Sequence, residues 1–564
     1  MIPSEKSFYE YLSEFYKKSP DRNFLGDKNG WLTVGEVWNQ VHSAACALHE
    51  YGIEAGDYVA LCAERSAKSV ILFLALQFTG AVAVLTDPHN KTEEYLQEYG
   101  ARIPVKAVLA REGSEEHWFY MDQISRVKRK ILPDDSSGSS ACSLEAGISG
   151  TEGWIGTVNS CEPAIIIFTS GSTGESKEVV LSQYNCVNNL VDSEPLGWYC
   201  PDDIALGMVP IHHVFGLALL AGALVLRYSL YLPHRTDVPG LLECIEQNGI
   251  TRVNAVPSLY LAMAQLRDRH DLHTLRTGYI GGAPWTPEQF AQIEEELNMT
   301  LIPVYGMSEC IGISCASWQD SRKQRIGGVG RIYSMNTVRI VDEEGKDMEA
   351  GREGEIWVKG PARMVGYFGD DTGLDRDGFL HTGDLGHLDG EGILHISGRK
   401  KDIIIRNGNN LSSRRIEEAV LRIPEIGDSC VVGISDPLLG EVPCVALVRA
   451  DDGDRMPGGT EAAGGHLVWT AAECGPLVQK RETGRTFTGT ELQELFARTA
   501  LAKNEWPVYG KYMDSIPLTS SGKQDKQTIK GIFENEVKNG GKCNHPHSGD
   551  PADPSGSAGV GRIS

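Results

Sequence analysis

The stretch IIIFTSGSTGESK, Ile165 to Lys177, is where the chain declares its fold. The β-branched run Ile165, Ile166, Ile167 has the character of a buried strand. It delivers the chain into Thr169, Ser170, Gly171, Ser172, Thr173 and Gly174, and a cation, Lys177, closes the loop. Small residues leave backbone N–H groups and hydroxyls unobstructed, which suits a polyphosphate. A Walker A loop needs GxxxxGK followed by Ser or Thr and then a helix. Gly171 and Gly174 lack that spacing, and Val179–Leu181 reads as a second strand, so Walker A is rejected. An isolated Gly/Ser cluster is usually a surface turn. Here hydroxyls, glycines and a terminal lysine coincide behind a buried-type strand, which points to phosphate.

Around this loop, helical and strand patterns alternate. Ser7–Tyr16 and Thr33–Tyr51 have helical spacing, Tyr58–Cys62 reads as a strand, and Ser69–Thr79 as a helix before the apolar run Ala81–Leu85. Leu241–Gln247 leads into Arg252–Ala255, and Pro287–Leu297 into Leu301–Pro303. Such alternation predicts βαβ units and a largely parallel sheet. Beyond Asn336 the texture changes to short strands, Thr337–Val341 and Gly354–Val358, around the polar turn Asp342–Gly351. A new unit is expected near Gly398, with the basic cluster Arg399–Lys401. The Gly- and acid-rich segment 451–465 and the tail 538–564 read as dispensable to the fold, the tail as disordered.

A chain of 564 residues exceeds what one core usually supports, so at least two domains are expected. With 53 Lys+Arg against 76 Asp+Glu the net charge is −23, which disfavours a nucleic-acid binder with a broad basic face. The 13 cysteines contain no CxxC pair, which argues against a disulfide framework or zinc site and for free thiols in a reducing compartment. The first residues, MIPSEKSFYEYLSEFYKK, hold no apolar stretch, so no signal peptide is expected. The longest apolar runs, Val70–Leu76, Phe78–Leu85 and Val214–Leu226, fall short of the roughly 20 residues of a membrane helix. The expectation is a cytoplasmic protein with no transmembrane segment and no nucleic-acid partner.

Six further stretches carry candidate chemistry. In chain order they are PIHHVFGL with His213, GGAPW with Gly282 and Ala283, PVYGMSEC with Tyr305, Gly306, Ser308 and Glu309, HTGDLG with Asp384, GRKKDIIIRNGNNLSSRRIEEAV with Arg399, Lys401 and Gly408, and PLTSSGKQDK with Lys523. Each alone is weak: one of two adjacent histidines is usually structural, Gly-Asp is usually a turn, and an exposed lysine usually serves solubility. Together with the Ser170–Gly174 loop and in this order, over roughly residues 7 to 535, they resemble the adenylate-forming superfamily of acyl-CoA synthetases, luciferases and nonribosomal-peptide adenylation domains. The family loop reads [ST]SGSTGxPKG. This chain has TSGSTGESKE, with Ser176 for the proline and Glu178 for the final glycine.

The resemblance implies an α/β fold. A large N-terminal domain of layered α/β subdomains with a small barrel-like part would span residues 1–397, and a mobile α+β cap with its hinge near Lys401 residues 398–537. It also implies roles. Thr169–Gly174 and Lys177 would hold the phosphates of ATP, and Gly282, Ala283, Tyr305 and Gly306 would line the adenine. Ser308, in place of threonine, would lie near the α-phosphate, Glu309 would bind Mg²⁺, and Asp384 would accept from the ribose hydroxyls. Arg399 would reach ribose and phosphate, His213 would border the acyl pocket, Gly408 would line a pantetheine tunnel, and Lys523 would be the catalytic lysine.

The implied reaction has two steps. A carboxylate attacks the α-phosphate of Mg·ATP to give acyl-AMP and pyrophosphate, and the thiol of CoA then displaces AMP, the cap turning about Lys401 in between. The acid is expected to be fatty or otherwise hydrophobic, with Phe215–Leu226 as candidate lining, an ordinary core helix being the alternative. Two other functions stay open: loading of a separate carrier protein, and a non-catalytic family member carrying the departures Ser176, Glu178 and Ser308. Retention of Lys523, Glu309, Asp384 and Arg399 argues against the last.

Overall fold

Reciprocal caps start the helices that frame the first sheets. Ser7 accepts from the Glu10 N–H while the Glu10 carboxylate accepts from the Ser7 N–H, and Thr33 and Glu36 do the same, so helices run over Phe8–Lys18 and Val34–Glu50. The computed structural model describes residues 1–87, 102–109, 129–131, 156, 158–169, 177–370, 373–449, 489–518 and 524–538. The loop core Ser170–Gly174, Ser176, Lys523, the segment 451–465 and the tail beyond Lys538 lie outside them.

Two units are distinguished, the first running from Met1 to Lys401 and the second starting at Asp402. The sequence expectation put the break between residues 397 and 398. It falls later because Leu394–Arg399 is the last strand of an antiparallel ladder, with Gly398 opposite Leu385 and Arg399 opposite Asp384. The basic cluster that suggested a new beginning is the end of that strand.

Among the described residues the first unit contains three sheets. In the seven-stranded sheet, Pro163–Thr169, Val82–Thr86, Tyr58–Cys62, Val105–Leu109 and Arg129–Ile131 run parallel. Lys177–Ser182 and then Gly366–Tyr367 add antiparallel at one edge. All five residues of Val82–Thr86 are buried, as expected for a strand covered on both faces. In the nine-stranded sheet, Thr300–Met307, Thr277–Ile280, Arg252–Val253, Ile204–Leu206, Ser229–Tyr231 and Asn23–Asp27 are parallel, with antiparallel strands at both margins. The expected small barrel-like part is a four-stranded antiparallel sheet of Thr337–Val341, Gly354–Lys359, Leu380–Leu388 and Leu394–Arg399.

Val214–Leu226 is one helix, apolar all round. Leu217, Leu219, Leu220, Ala221, Ala223 and Leu224 are buried, and the Tyr228 hydroxyl donates to the Leu219 carbonyl at 2.6 Å. The idea that this whole stretch lines a pocket therefore narrows to its first turn, where Val214, Phe215 and Ala218 are half-buried.

The second unit is α+β. Ile426–Asp436 and Gly440–Arg449 form a long hairpin, Tyr509–Tyr512 runs parallel to the latter, and Ile403–Arg406 with Asn409–Ser412 completes the sheet. Period-two alternation splits its core. Val431, Val445 and Leu447 pack with Ile416, Leu492 and Phe496, whereas Cys430, Val432, Cys444 and Ala446 pack with Ile529 and Phe533. Among the described residues no helix is long and apolar enough to cross a membrane, and the cysteines are free thiols.

Candidate active site

Strands Thr277–Ile280 and Thr300–Met307 lie side by side and parallel, with Ile280 opposite Pro303. The segments that follow, Gly281–Ala283 and Tyr305–Gly306, thus leave the sheet at the same carboxyl edge, where open α/β sheets collect ligands. Glycine is required there. A Cβ on Gly281 would lie 2.8 Å from the Val304 carbonyl oxygen and one on Gly306 2.5 Å from that of Ile311, while Gly282 has φ +77°. The result is a strip of bare backbone of the kind a flat ring can approach. Met307 pairs with Cys310, so Ser308 and Glu309 form the two-residue tip of a hairpin.

Asp384 joins this edge to the small sheet. It is 3% exposed, and its Oδ2 accepts from the Tyr305 hydroxyl at 2.7 Å while the Arg399 Nε lies 2.8 Å from Oδ1. Burial, reinforced by the Asp384 charge, pushes the Tyr305 phenol well above its ordinary range, so it stays a donor. A carboxylate oxygen accepts more than one hydrogen bond, so both oxygens retain capacity for the hydroxyls of a vicinal diol. This donor set fits a ribose.

The chain is paired on either side of residues 170–176. Thr169 pairs with Lys177, and its Oγ1 donates to the Lys177 carbonyl at 3.4 Å. The Lys177 Nζ sits 4.6 Å from the ring centroid of Tyr367, and the Tyr367 hydroxyl donates to Glu309 Oε1 at 2.9 Å. A carboxylate at this point fits a hard divalent cation arriving with ATP as substrate, which takes oxygen ligands from one or two acids and the phosphates.

His213 is the N-cap of helix Val214–Leu226, its ring 4.3 Å from that of His212. His212 Nε2 is 4.0 Å from Asp87. Asp87 directly follows the strand Val82–Thr86, which runs parallel to Pro163–Thr169. Lys401 is exposed, in the turn Lys400–Asp402 that ends the first unit. Gly408 belongs to the second unit, where Asn407 (φ 50°) and Gly408 (φ +77°) make the two-residue turn between Ile403–Arg406 and Asn409–Ser412. Both positions need a positive φ, which explains the Asn-Gly dipeptide.

The structure thus forms two groups, Tyr305 with Asp384 and Arg399, and Thr169 and Lys177 with Tyr367 and Glu309, which share the strand Thr300–Met307 and its hairpin tip. Tyr367 is the residue sequence reasoning passed over. Its only signal was an aromatic after glycine in a two-residue strand.

A profile of the AMP-binding enzyme family matches residues 12–368, and one of the AMP-binding enzyme C-terminal domain matches residues 415–523. A 4-coumarate–CoA ligase-like protein of Arabidopsis thaliana is 28% identical over 431 residues, covering 74% of this chain and 76% of the relative. A 2-succinylbenzoate–CoA ligase of Bacillus mycoides is 29% identical over 441 residues, covering 77% and 87%. The crystal structure of ATP-bound MatB from Rhodopseudomonas palustris superposes with a TM-score of 0.78 at 23% identity, over 94% of this chain and 99% of the other, which is a likeness of fold. With the family profile spanning more than half of the chain, from within helix Phe8–Lys18 to just past the strand of Tyr367, the protein belongs to the AMP-binding enzyme family of the adenylate-forming superfamily.

Proposed function

We propose that the protein is an acid–thiol ligase, converting a carboxylic acid and Mg·ATP to acyl-AMP and pyrophosphate and passing the acyl group to CoA. The observation that carries this is the buried Asp384, held between Tyr305 and Arg399 at the same sheet edge as Glu309. In this reading Asp384 anchors the ribose, and the bare backbone from Gly281 to Ala283 receives the adenine. Glu309 takes the Mg²⁺ that accompanies the triphosphate. The acid's carboxylate oxygen attacks the α-phosphorus and pyrophosphate leaves, with charge on the phosphorane neutralised by Arg399, Lys523 and the 169–177 loop. The CoA sulfur then attacks the acyl carbon, its proton is lost to solvent, and AMP departs with the bonding pair.

The acid is proposed to be hydrophobic, fatty or aryl. Phe215, at the first turn of helix Val214–Leu226, packs with Trp198, Tyr279, Ile302 and Tyr333, and the Tyr279 strand runs straight into the Gly281–Ala283 segment. An apolar group lying there would have its carboxylate directed toward the phosphate loop. The relatives named for 4-coumarate and 2-succinylbenzoate agree with this class. Carrier-protein loading uses the same first step and differs only in the acceptor. Acid-dependent pyrophosphate exchange across fatty, aryl and amino acids, followed by thioester assays with CoA and with a carrier protein, tests the proposal. Exchange with a hydrophobic acid and thioester on CoA are expected, and absence of exchange with every acid would overturn it.

A further inference from the structure

We infer that Tyr367 is a positioning residue, holding Glu309 ready for the metal carried by ATP and keeping Lys177 from pairing with it. The inference rests on the adenylation reading above. Three backbone hydrogen bonds place the ring. The Met364 N–H donates to the Glu309 carbonyl at 2.8 Å, Val365 to Val180 at 2.9 Å, and Phe368 to Glu178 at 2.9 Å. Residues 364–368 therefore tie the strand leaving the phosphate loop to the hairpin tip that bears Glu309. The Tyr367 ring stands where the two meet, with the Lys177 ammonium 4.6 Å from its centroid and its own hydroxyl 2.9 Å from Glu309 Oε1.

A cation and an anion delivered to one place attract each other, and with Lys177 exposed and Glu309 half-buried the attraction is weaker than in an interior but not abolished by water. A direct Lys177–Glu309 pair would occupy the carboxylate and draw the lysine away from phosphate. The phenol prevents both outcomes. It gives Oε1 a neutral donor, which leaves Glu309 its full charge and Oε2 for a cation. It offers Lys177 a ring face, an attractive surface for an ammonium group that costs it no charge. Groups that orient a metal-binding side chain typically change metal affinity by about 10–100-fold when removed.

The test is calorimetric binding of ATP to the full chain, with and without Mg²⁺ and without acid substrate, below the melting temperature of each variant. Wild type should bind ATP more tightly with Mg²⁺, and Glu309→Gln should lose that gain. Tyr367→Phe keeps the ring and every backbone bond, so it should leave metal-free ATP affinity within about twofold of wild type and reduce the Mg²⁺ gain by roughly tenfold. Adding Lys177→Gln to Tyr367→Phe should restore part of the gain, taken as the ratio of the two affinities, because the competing cation is gone. A Tyr367→Phe protein with the full Mg²⁺ gain, or one weakened equally with and without metal, would overturn the inference while leaving the adenylation reading standing. A wild-type protein without any Mg²⁺ gain would overturn both.

Discussion

Asp384 serves two neighbours with one carboxylate, accepting from Tyr305 and pairing with Arg399. If it also anchors the ribose, Asp384→Ala should weaken ATP binding by at least about tenfold, since a hydrogen bond to a charged group contributes about 1.5–3 kcal/mol. Acid binding should change little. Calorimetry with each substrate separately checks this, and an unchanged ATP affinity would reduce Asp384 to a strand residue. In the second unit burial perturbs the carboxyl of Asp428. Removal from water, together with the nearby Glu417, pushes it up to about 6 against the hydrogen bond from the Ser429 N–H. A folded value above the unfolded one, about 3.9, means that this residue's stabilising contribution is present at acid pH and lost as pH rises through about 6. Asp428→Asn should therefore raise the melting temperature at neutral and alkaline pH. The gain should shrink below about pH 6 and vanish near pH 4. A gain independent of pH would show that the charge is not the cause.

Helix Lys526–Lys538 packs through Ile529 and Phe533 and carries a buried charge pair at its first residue. The Lys526 Nζ lies 3.1 Å from Glu417 Oε1, 3.1 Å from Ser413 Oγ and 3.6 Å from Asp402, and Glu417 also accepts from the Val431 N–H at 2.8 Å. Glu417 is buried, so Lys526→Met should destabilise the second unit by about 3–5 kcal/mol by leaving an uncompensated charge, and adding Glu417→Gln should recover most of the loss. Denaturant unfolding of the single and double variants measures both effects. Elements of this kind separate what the sequence reveals from what it hides. Val34–Glu50 and Tyr58–Cys62 could be read because caps, turns and periodicity are local. The glycine-rich edge could be read because bare backbone needs particular residues in a row. Tyr367 could not, because its strand is two residues long and its partner Glu309 lies 58 positions away. Helix Val214–Leu226 was ambiguous because an unbroken apolar run suits a core and a pocket wall equally; its packing decides for the core except at the first turn. The boundary near residue 397 could be read only to within a few residues, because a basic cluster looks the same at the end of a strand as at the start of a domain.

At the scale of the whole molecule, the chain passes from one unit to the other at Lys401–Asp402. If the second unit turns about this point between half-reactions, Lys401→Pro should spare pyrophosphate exchange and suppress thioester formation, because proline fixes φ near −65° and restricts the residue before it. Lys523→Ala should do the reverse, losing exchange while still making thioester from supplied acyl-AMP and CoA. Proportional loss of both steps in both folded variants would argue for a static site.

The two-residue strand Gly366–Tyr367 has a consequence for biogenesis. It pairs with Val179–Val180, and the segment containing it also holds the backbone of Glu309, so the strand after residue 177 and the hairpin tip are joined only when a late stretch of chain returns to an early one. Contacts of such long sequence separation form slowly. A nascent chain halted before Met364 already carries residues 169–177, the Gly281–Ala283 edge and Glu309, yet lacks the strand that joins them as well as Asp384 and Arg399. If this edge holds the nucleotide, ATP should therefore give no protection to fragments ending short of that strand.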